Sequence, residues 1–401
     1  MIKKIMLLIT LLLFLTSCHT ARFFKWNVVN QDDYKKFYNL KIKKSNTPFL
    51  FIDHLPNGNV NLPKTVQTRK GVNLTFKEAL KKEETLAFLI IRKDSILFEE
   101  YFEGATKKSV QASFSMSKSF LSAMIGIAVN KGQIKSIKDP ITNYLDFLDK
   151  KEFQNITIEN LLDMRSGILS KKDFLNPFGQ IVKMYYGKNI KKYMTQLKIK
   201  QAPDLSYDYS NINSQLLALI LEKVTGKMVT ENLEEQLWKP LGMEYDALWS
   251  VDSKKNKTVK AFCCLNATAI DYAKIGRLYL NNGKWNDKQI VPKDWVTKST
   301  TFTTAKNNFR YSNHWKHAIT YEVITDKTVY PDLYVDGGYY VDKNNEKKHF
   351  IIYPYPAFFA VGILGQFIYV YPEKEIIIVR LGKKDKNIDW EELFKKIVEM
   401  N

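Results

Sequence analysis

The sequence predicts an α+β fold: an antiparallel sheet flanked by helices on both faces, with an inserted, mostly helical domain. Apolar, strand-like runs lie near both ends of the chain, at residues 86–91, 96–102, 358–363, 367–371 and 375–381. The first two runs are separated only by Lys93-Asp94, which predicts a β-hairpin. Between about residues 136 and 251 the apolar spacing is helical instead. Strands on either side of a helical middle indicate one sheet domain with an insertion.

The first 17 residues are typical of an export signal. Lys3 and Lys4 precede an apolar run at residues 5–15, which is too short to span a bilayer well. The four residues ending in Cys18 resemble the cleavage box of bacterial lipoproteins, in which the cysteine becomes the lipidated first residue. We therefore expect residues 1–17 to be a signal peptide and Cys18 to anchor the protein to a membrane of the cell envelope, on its periplasmic side or in the outer membrane.

The remaining chain divides into three predicted parts. Residues 18–69 are expected to be a tether and N-terminal extension, and residues 136–259 a helical domain. Residues 70–135 and 260–401 are expected to form the sheet domain. Helices are predicted at residues 75–82, 157–164, 188–197, 213–224, 231–238 and 267–280, and after Asp389 as a C-terminal amphipathic helix.

Composition restricts the class of protein. The 401 residues are 45% hydrophobic and 13% aromatic, so a large core is expected. The net charge of +19 comes from lysines spread along the whole chain, without a nucleic-acid-binding motif. We expect no nucleic-acid partner and favour contact with anionic envelope polymers. The alternative is a general lysine bias with no partner behind it.

The cysteines and histidines indicate no metal site and no cofactor. Cys263 and Cys264 are adjacent, and the Cα spacing of neighbouring residues is unfavourable for a disulfide. We expect them to be unbridged, buried residues. His314 and His317 have a spacing that could share a metal on a helix, but no supporting ligand adjoins them.

Ser115-Met116-Ser117-Lys118 is the strongest candidate for chemistry. Its hydroxyl and amine are one helical turn apart, at the start of an apolar stretch that continues to Gly132. An amine in an apolar site loses its proton more readily and can activate a serine. The alternative is that Ser115 caps the helix and Lys118 extends to solvent.

Two later motifs could complete such a site. Tyr209-Ser210-Asn211 precedes a predicted helix, and a phenol near an ammonium can be shifted towards phenolate and accept a proton. The segment from Gly362 through Gly365 to Gln366 lies on a predicted strand, where glycines allow a substrate to approach the backbone. Taken singly, each motif is also typical of ordinary packing.

In this order the three motifs resemble the class C β-lactamase superfamily of penicillin-recognising serine hydrolases. The resemblance extends over residues 86–381 and is greatest to the branch of 6-aminohexanoate-dimer hydrolases and esterases, on residues 113–120 and 365–366. Further matching stretches lie at residues 132–141, 158–167, 237–243 and 265–282. It implies a β-lactamase/transpeptidase-like fold with the site between the sheet and the helical domain.

The resemblance also implies residue roles. Ser115 would be the acylated nucleophile, Lys118 its activating partner and Tyr209 the general acid and base. Asn211 would contact a substrate amide or belong to the hydrogen-bond network of the site. The backbone N–H groups of Ser115 and Gln366 would form the oxyanion hole, with Gly365 beside them.

One departure from the superfamily pattern affects the expected substrate. Where its β-lactamases and carboxypeptidases place Lys or His before x-Gly, this chain has Ile363 before Leu364-Gly365. Without that cation to hold a carboxylate, an ester or uncharged amide is the expected substrate. The alternatives are a D-alanyl-D-alanine carboxypeptidase, a β-lactamase, and a non-catalytic envelope-binding module.

Overall fold

The computed structural model describes residues 19–26, 28–53, 60–302, 310–324, 336–341 and 347–401. The predicted signal peptide and Cys18 lie outside the described residues. Within the described ranges, no helix combines the length and the apolar character needed to cross a bilayer.

Seventeen strands are assigned in the described ranges. They are β1 (Asn39–Ile42), β2 (Ile52–Asp53), β3 (Thr65–Gln67), β4 (Asn73–Thr75), β5 (Thr85–Arg92), β6 (Ser95–Tyr101), β7 (Gln111–Ala112), β8 (Ala247–Ser250), β9 (Leu265–Ala267), β10 (Lys284–Trp285), β11 (Lys288–Gln289), β12 (Tyr311–Ser312), β13 (Trp315–Ile324), β14 (Asp336–Val341), β15 (Lys347–Gly362), β16 (Gln366–Tyr371) and β17 (Ile376–Gly382).

The α-helices of the same ranges are between 4 and 15 residues long. They are α1 (His19–Trp26), α2 (Phe76–Lys82), α3 (Ser117–Asn130), α4 (Lys150–Phe153), α5 (Ile158–Leu162), α6 (Gln180–Tyr186), α7 (Ile190–Met194), α8 (Asn211–Thr225), α9 (Val229–Leu233), α10 (Ala269–Leu280), α11 (Lys293–Thr300) and α12 (Trp390–Met400), with a π-helical turn at Glu234–Trp238 after α9.

The main sheet has the order β12-β13-β15-β16-β17-β5-β6-β2, and β14 pairs with β15. Its pairs are antiparallel except for the short edge strand β2, which runs parallel to β6. The predicted hairpin is present: Arg92 pairs with Ser95 across a two-residue turn in which Lys93 and Asp94 have positive φ. The predicted fold class is confirmed.

Helices cover both faces of this sheet. The apolar residues of α3 and α10 pack on one face, in the larger core, and those of α2 and α12 pack on the other. Asp389 caps α12 as predicted, its carboxylate accepting from the backbone N–H of Glu392. The first turn of α3 is thus buried at the boundary between the sheet and the helical segment.

A second, four-stranded sheet was not predicted. Its order is β1-β8-β9-β7, so a strand of the N-terminal extension pairs with β8, which lies inside the segment predicted to be helical. Asn39 pairs with Ser250 and Ile42 with Ala247. The proposed division into domains remains a prediction, but the extension is bound to the body of the protein along this strand.

Candidate active site

Ser115 lies in a tight turn that leads into a buried helix. The turn is the 3-10 segment Phe114–Met116, and α3 follows directly. Twelve of the fourteen residues of α3 are buried, so the helix is fixed in the core. Lys118, one helical turn after Ser115, is only 1% exposed, and its Nζ lies 3.2 Å from Oγ of Ser115. The spacing seen in the sequence therefore produces a real contact.

Lys118 is held by neutral oxygens. Its Nζ contacts Oδ1 of Asn211 at 3.0 Å and the backbone carbonyl of Phe262. No carboxylate of the described residues forms an ion pair with it. Burial without a counter-charge lowers the pKa of Lys118 to about 7. A large share of the neutral amine is therefore present near neutral pH, in contact with the serine hydroxyl.

Tyr209 is the third side chain of this cluster. Nζ of Lys118 lies 5.0 Å from the centre of its ring, and its hydroxyl interacts with the side chain of Ser115. Burial raises the pKa of Tyr209 to about 12, although the interaction with Ser115 acts in the opposite direction. The prediction of a shift towards phenolate is corrected: desolvation dominates, so the phenol is neutral and is suited to donating a proton.

Asn211 is oriented by the start of a helix. It is the first residue of α8, and the side chain of Ser210 caps that helix by accepting from the N–H of Ile212. This cap directs the amide of Asn211 to Lys118. The structure therefore brings together four of the predicted residues, Ser115, Lys118, Tyr209 and Asn211.

The glycine that contacts the nucleophile is Gly362. A Cβ atom at this position would lie 2.3 Å from the carbonyl oxygen of Ser113 and 3.1 Å from the backbone nitrogen of Ser115. Strand β15 ends here, and Ile363 begins the turn to β16 while lining the cleft. The backbone of Gly362 and Ile363 is therefore the wall next to Ser115.

Gly365 and Gln366 do not line the cleft, although Gln366 pairs with Gly362 across the turn between β15 and β16. Gly365 has φ of +75° in the turn, and its carbonyl accepts from the buried guanidinium of Arg380. The Gln366 side chain is buried and bonds both the N–H and the carbonyl of Gly382. These positions do not suit the predicted oxyanion role, because the turn after Gly362 carries the chain back into the sheet.

A cleft of ≈350 Å³ opens over Ser115. The side chains and backbone that line it are those of Ser115, Ser119, Tyr207, Tyr209, Tyr311, His314, Lys316, Phe359, Val361, Gly362, Ile363 and Asp385. Eight of these, at positions 119, 207, 311, 314, 316, 359, 361 and 385, were not predicted as active-site residues. Most of them come from β12, β13, β15 and the chain after β17, and no local motif marks them.

His314 is a neutral member of this lining. Its ring nitrogens lie 3.2 Å from Oγ of Ser214 and 3.2 Å from the hydroxyl of Tyr311. Burial and the charge of Lys118 lower the pKa of His314 to about 3. His314 and His317 are not on a helix: His314 directly precedes β13, and His317 is the third residue of that strand.

The prediction that Cys263 and Cys264 are unbridged is wrong. Cys263 and Cys264 are buried as expected, but they are bridged to each other at a Cα–Cα distance of 3.8 Å. Cys264 has φ of +72°, which turns its side chain towards that of Cys263 instead of to the opposite side. The bridged pair directly follows Phe262, whose carbonyl holds Lys118.

Comparisons with curated proteins find distant relatives that are hydrolases by name. The chain is 26% identical over 234 residues to the 6-aminohexanoate-dimer hydrolase of Paenarthrobacter ureafaciens, covering 55% of this chain and 58% of that protein. It is 26% identical over 258 residues to the teichoic acid D-alanine hydrolase of Staphylococcus aureus, covering 63% and 57%. The matches thus span less than three fifths of each relative.

Solved structures show the same fold. A Bacillus anthracis protein assigned as a 6-aminohexanoate-dimer hydrolase has a TM-score of 0.72 at 22% identity, with 90% of each chain covered. A class C beta-lactamase has a TM-score of 0.54 at 15% identity, with 80% of this chain and 93% of that chain covered. A family model described as Beta-lactamase matches residues 72–397. On the strength of that match over most of its length, this chain belongs to the Beta-lactamase family.

Proposed function

We propose that the protein is a serine hydrolase that cleaves an ester or amide through an acyl intermediate on Ser115. The main support is one contact: the amine of Lys118 lies 3.2 Å from the serine hydroxyl, and burial lowers the pKa of that amine to about 7. A neutral amine at this distance is a general base within reach of the proton that it must remove.

The acylation step follows from the positions of three side chains. The neutral amine of Lys118 takes the proton of Ser115 while Oγ attacks the substrate carbonyl carbon. Tyr209, as a neutral phenol whose hydroxyl interacts with the side chain of Ser115, donates its proton to the leaving oxygen or nitrogen as the scissile bond breaks. Tyr209 then regains a proton from the ammonium of Lys118, which restores the neutral base.

The negative oxygen of the tetrahedral intermediate needs donors fixed in advance. We assign this role to the backbone N–H groups of Ser115 and Ile363, because the strand end at Gly362 is packed against the nitrogen of Ser115. Water then attacks the acyl carbonyl and gives up a proton to Lys118. The ammonium of Lys118 passes this proton to Oγ of Ser115 as the acyl group leaves, which restores both the hydroxyl and the neutral amine. No cofactor is needed for these steps.

The apolar strand end supports an ester or amide rather than a β-lactam. Since Gly362 is the glycine that contacts the nucleophile, the residue two places before it is Ala360, which is buried. Both this position and Ile363 lack the cation that the superfamily pattern would place there. The curated relatives are named for hydrolysis of an aminohexanoate dimer and of teichoic acid D-alanine.

We also propose that the protein is exported and anchored to the cell envelope through a lipid on Cys18. The support is the basic, apolar and cysteine-terminated pattern of residues 1–18. Labelling with radioactive palmitate is expected for the wild type and not for Cys18→Ala. Equal labelling of the two would end this proposal.

A fluorophosphonate probe tests the hydrolase proposal. Labelling of the wild type but not of Ser115→Ala is expected, whereas an unlabelled wild type would favour the non-catalytic envelope-binding alternative. Turnover of 4-nitrophenyl esters without nitrocefin hydrolysis would support the substrate assignment. Rapid turnover of nitrocefin, or release of D-alanine from a D-alanyl-D-alanine peptide, would favour the β-lactamase or carboxypeptidase alternative.

A further inference from the structure

The wall of the cleft formed by β13 carries a lysine that forms no ion pair with any residue that the structure describes. Lys316 is the second residue of β13 and pairs with Phe359 of β15, and both residues line the cleft with Ser115. The lysine is partly buried. Among the described residues, no carboxylate oxygen lies within 4.0 Å of its Nζ. A cation in this environment has given up part of its hydration without gaining a salt bridge.

Two acidic groups act on Lys316, and neither forms an ion pair with it. Glu391 accepts two hydrogen bonds from Arg310, at 3.0 and 2.7 Å. Asp385 lines the same cleft, but Arg69 and Arg380 are the cations that interact most strongly with it. Neither carboxylate therefore neutralises Lys316.

The electrostatics of Lys316 agree with this description. Burial lowers the pKa of Lys316, and the attraction of Glu391 and Asp385 offsets this only in part. A bound anion would stabilise the ammonium and reverse that loss. Few other groups of the cleft lining could bind an anion in place of Lys316, because tyrosines, apolar side chains and the neutral His314 make up most of that lining.

The sheet register sets the distance between Lys316 and the reaction centre. Phe359 precedes Gly362 by three residues, or roughly 10 Å along a strand. The lysine stem can span part of this length. An anion bound at Nζ would thus be several bonds from the carbonyl attacked by Ser115, with Val361 and Phe359 beside the intervening chain.

Resting on the proposed hydrolase function, we propose that Lys316 is a specificity-determining residue that binds a singly charged anionic group of the substrate, remote from the bond that is cleaved. It supplies from the neighbouring strand the cation that Ala360 and Ile363 do not provide. A single ammonium matches a monoanion, a carboxylate or a phosphodiester. The net charge of +19 favours the approach of such substrates.

Three 4-nitrophenyl esters test this proposal: the hexanoate, its analogue ending in a carboxylate, and its analogue ending in a methyl phosphodiester. We expect the wild type to prefer one or both anionic esters over the neutral ester by about tenfold in kcat/KM, the range of a charge-assisted contact. The two anionic esters distinguish a carboxylate ligand from a phosphodiester ligand.

The variants assign the preference to one side chain. Lys316→Met should lose the preference because KM rises for the anionic esters much more than for the neutral ester, and Lys316→Arg should keep most of it. Lys284→Met removes the same charge from an exposed position on β10 and should change neither the preference nor KM.

A preference that survives in Lys316→Met, an equal effect on all three esters, or no preference in the wild type would overturn the proposal. Failure of the hydrolase function has a different signature: the wild type would turn over none of the esters and would not be labelled at Ser115.

Discussion

Nζ of Lys118 lies 3.2 Å from Oγ of Ser115 and is held there by the amide oxygen of Asn211 and the carbonyl of Phe262. These partners are neutral, so they orient the amine without stabilising its charge. Burial is then free to lower the pKa of Lys118. The same arrangement gives the amine both its position and its basicity.

The pH dependence should report this lowered pKa. Protonated Lys118 cannot accept the proton of Ser115, so kcat/KM for a neutral ester should be low in acid and rise as pH increases through about 7. Tyr209, with a pKa raised to about 12, should remain a proton donor, so the profile should stay level well above pH 8.

Lys118→Ala is the control for the pH profile, because it removes the base and should lose most activity at every pH. A wild-type profile that rises only through pH 4 or only near pH 10 would contradict the assignment of Lys118 as the base.

Removal of the Tyr209 hydroxyl should slow the chemistry without unfolding the protein. We expect Tyr209→Phe to lower kcat by about 10²- to 10⁴-fold, the usual contribution of a positioned acid or base. Tyr207 also lines the cleft, but its hydroxyl does not interact with Ser115, so Tyr207→Phe should change kcat little. Equal effects of the two substitutions on ester turnover would refute a proton-transfer role for Tyr209.

Gly362→Ala should abolish activity, because its methyl group would collide with the backbone next to Ser115. Its methyl group would lie 2.3 Å from the carbonyl of Ser113, so the strand end and the serine turn must separate. We expect loss of ester turnover and of fluorophosphonate labelling. Gly104→Ala is the matched control: it costs about 1 kcal/mol because φ is +75°, but no atom lies within 4 Å of the new methyl group. Both would be compared by activity and thermal melting.

The disulfide between Cys263 and Cys264 predicts how many alkyl groups mass spectrometry should find on the protein. After denaturation without reductant, an alkylating reagent should leave Cys263 and Cys264 unmodified, and after reduction it should add two groups. Alkylation of both thiols before reduction would restore the sequence-based expectation of unbridged cysteines.

Much of the fold could be predicted because its signals are local. The apolar runs of β5 and β6 and the turn at Lys93-Asp94 specify a hairpin without reference to the rest of the chain. The contact between Ser115 and Lys118 needs only helical spacing and a buried helix. Tyr209 and Asn211 could be placed only through resemblance, since nothing local distinguishes them from packing residues.

The rest of the site depends on where strands end and which strands are neighbours. Gly362 and Gly365 are equally good candidates in the sequence, and only the end of β15 decides that Gly362 contacts Ser115. His314 and Lys316 lie some 200 residues beyond Ser115 and reach the cleft because β13 pairs with β15. The bridge at Cys264 depends on a positive φ that no short motif encodes.

Intact-mass measurement of the enzyme mixed with a slowly hydrolysed ester is the most direct test of the central claim. We predict a transient mass increase equal to the acyl group, located by peptide mapping on Ser115 and absent in Ser115→Ala. Hydrolysis of the ester with no acyl adduct, or an adduct on another residue, would contradict the account.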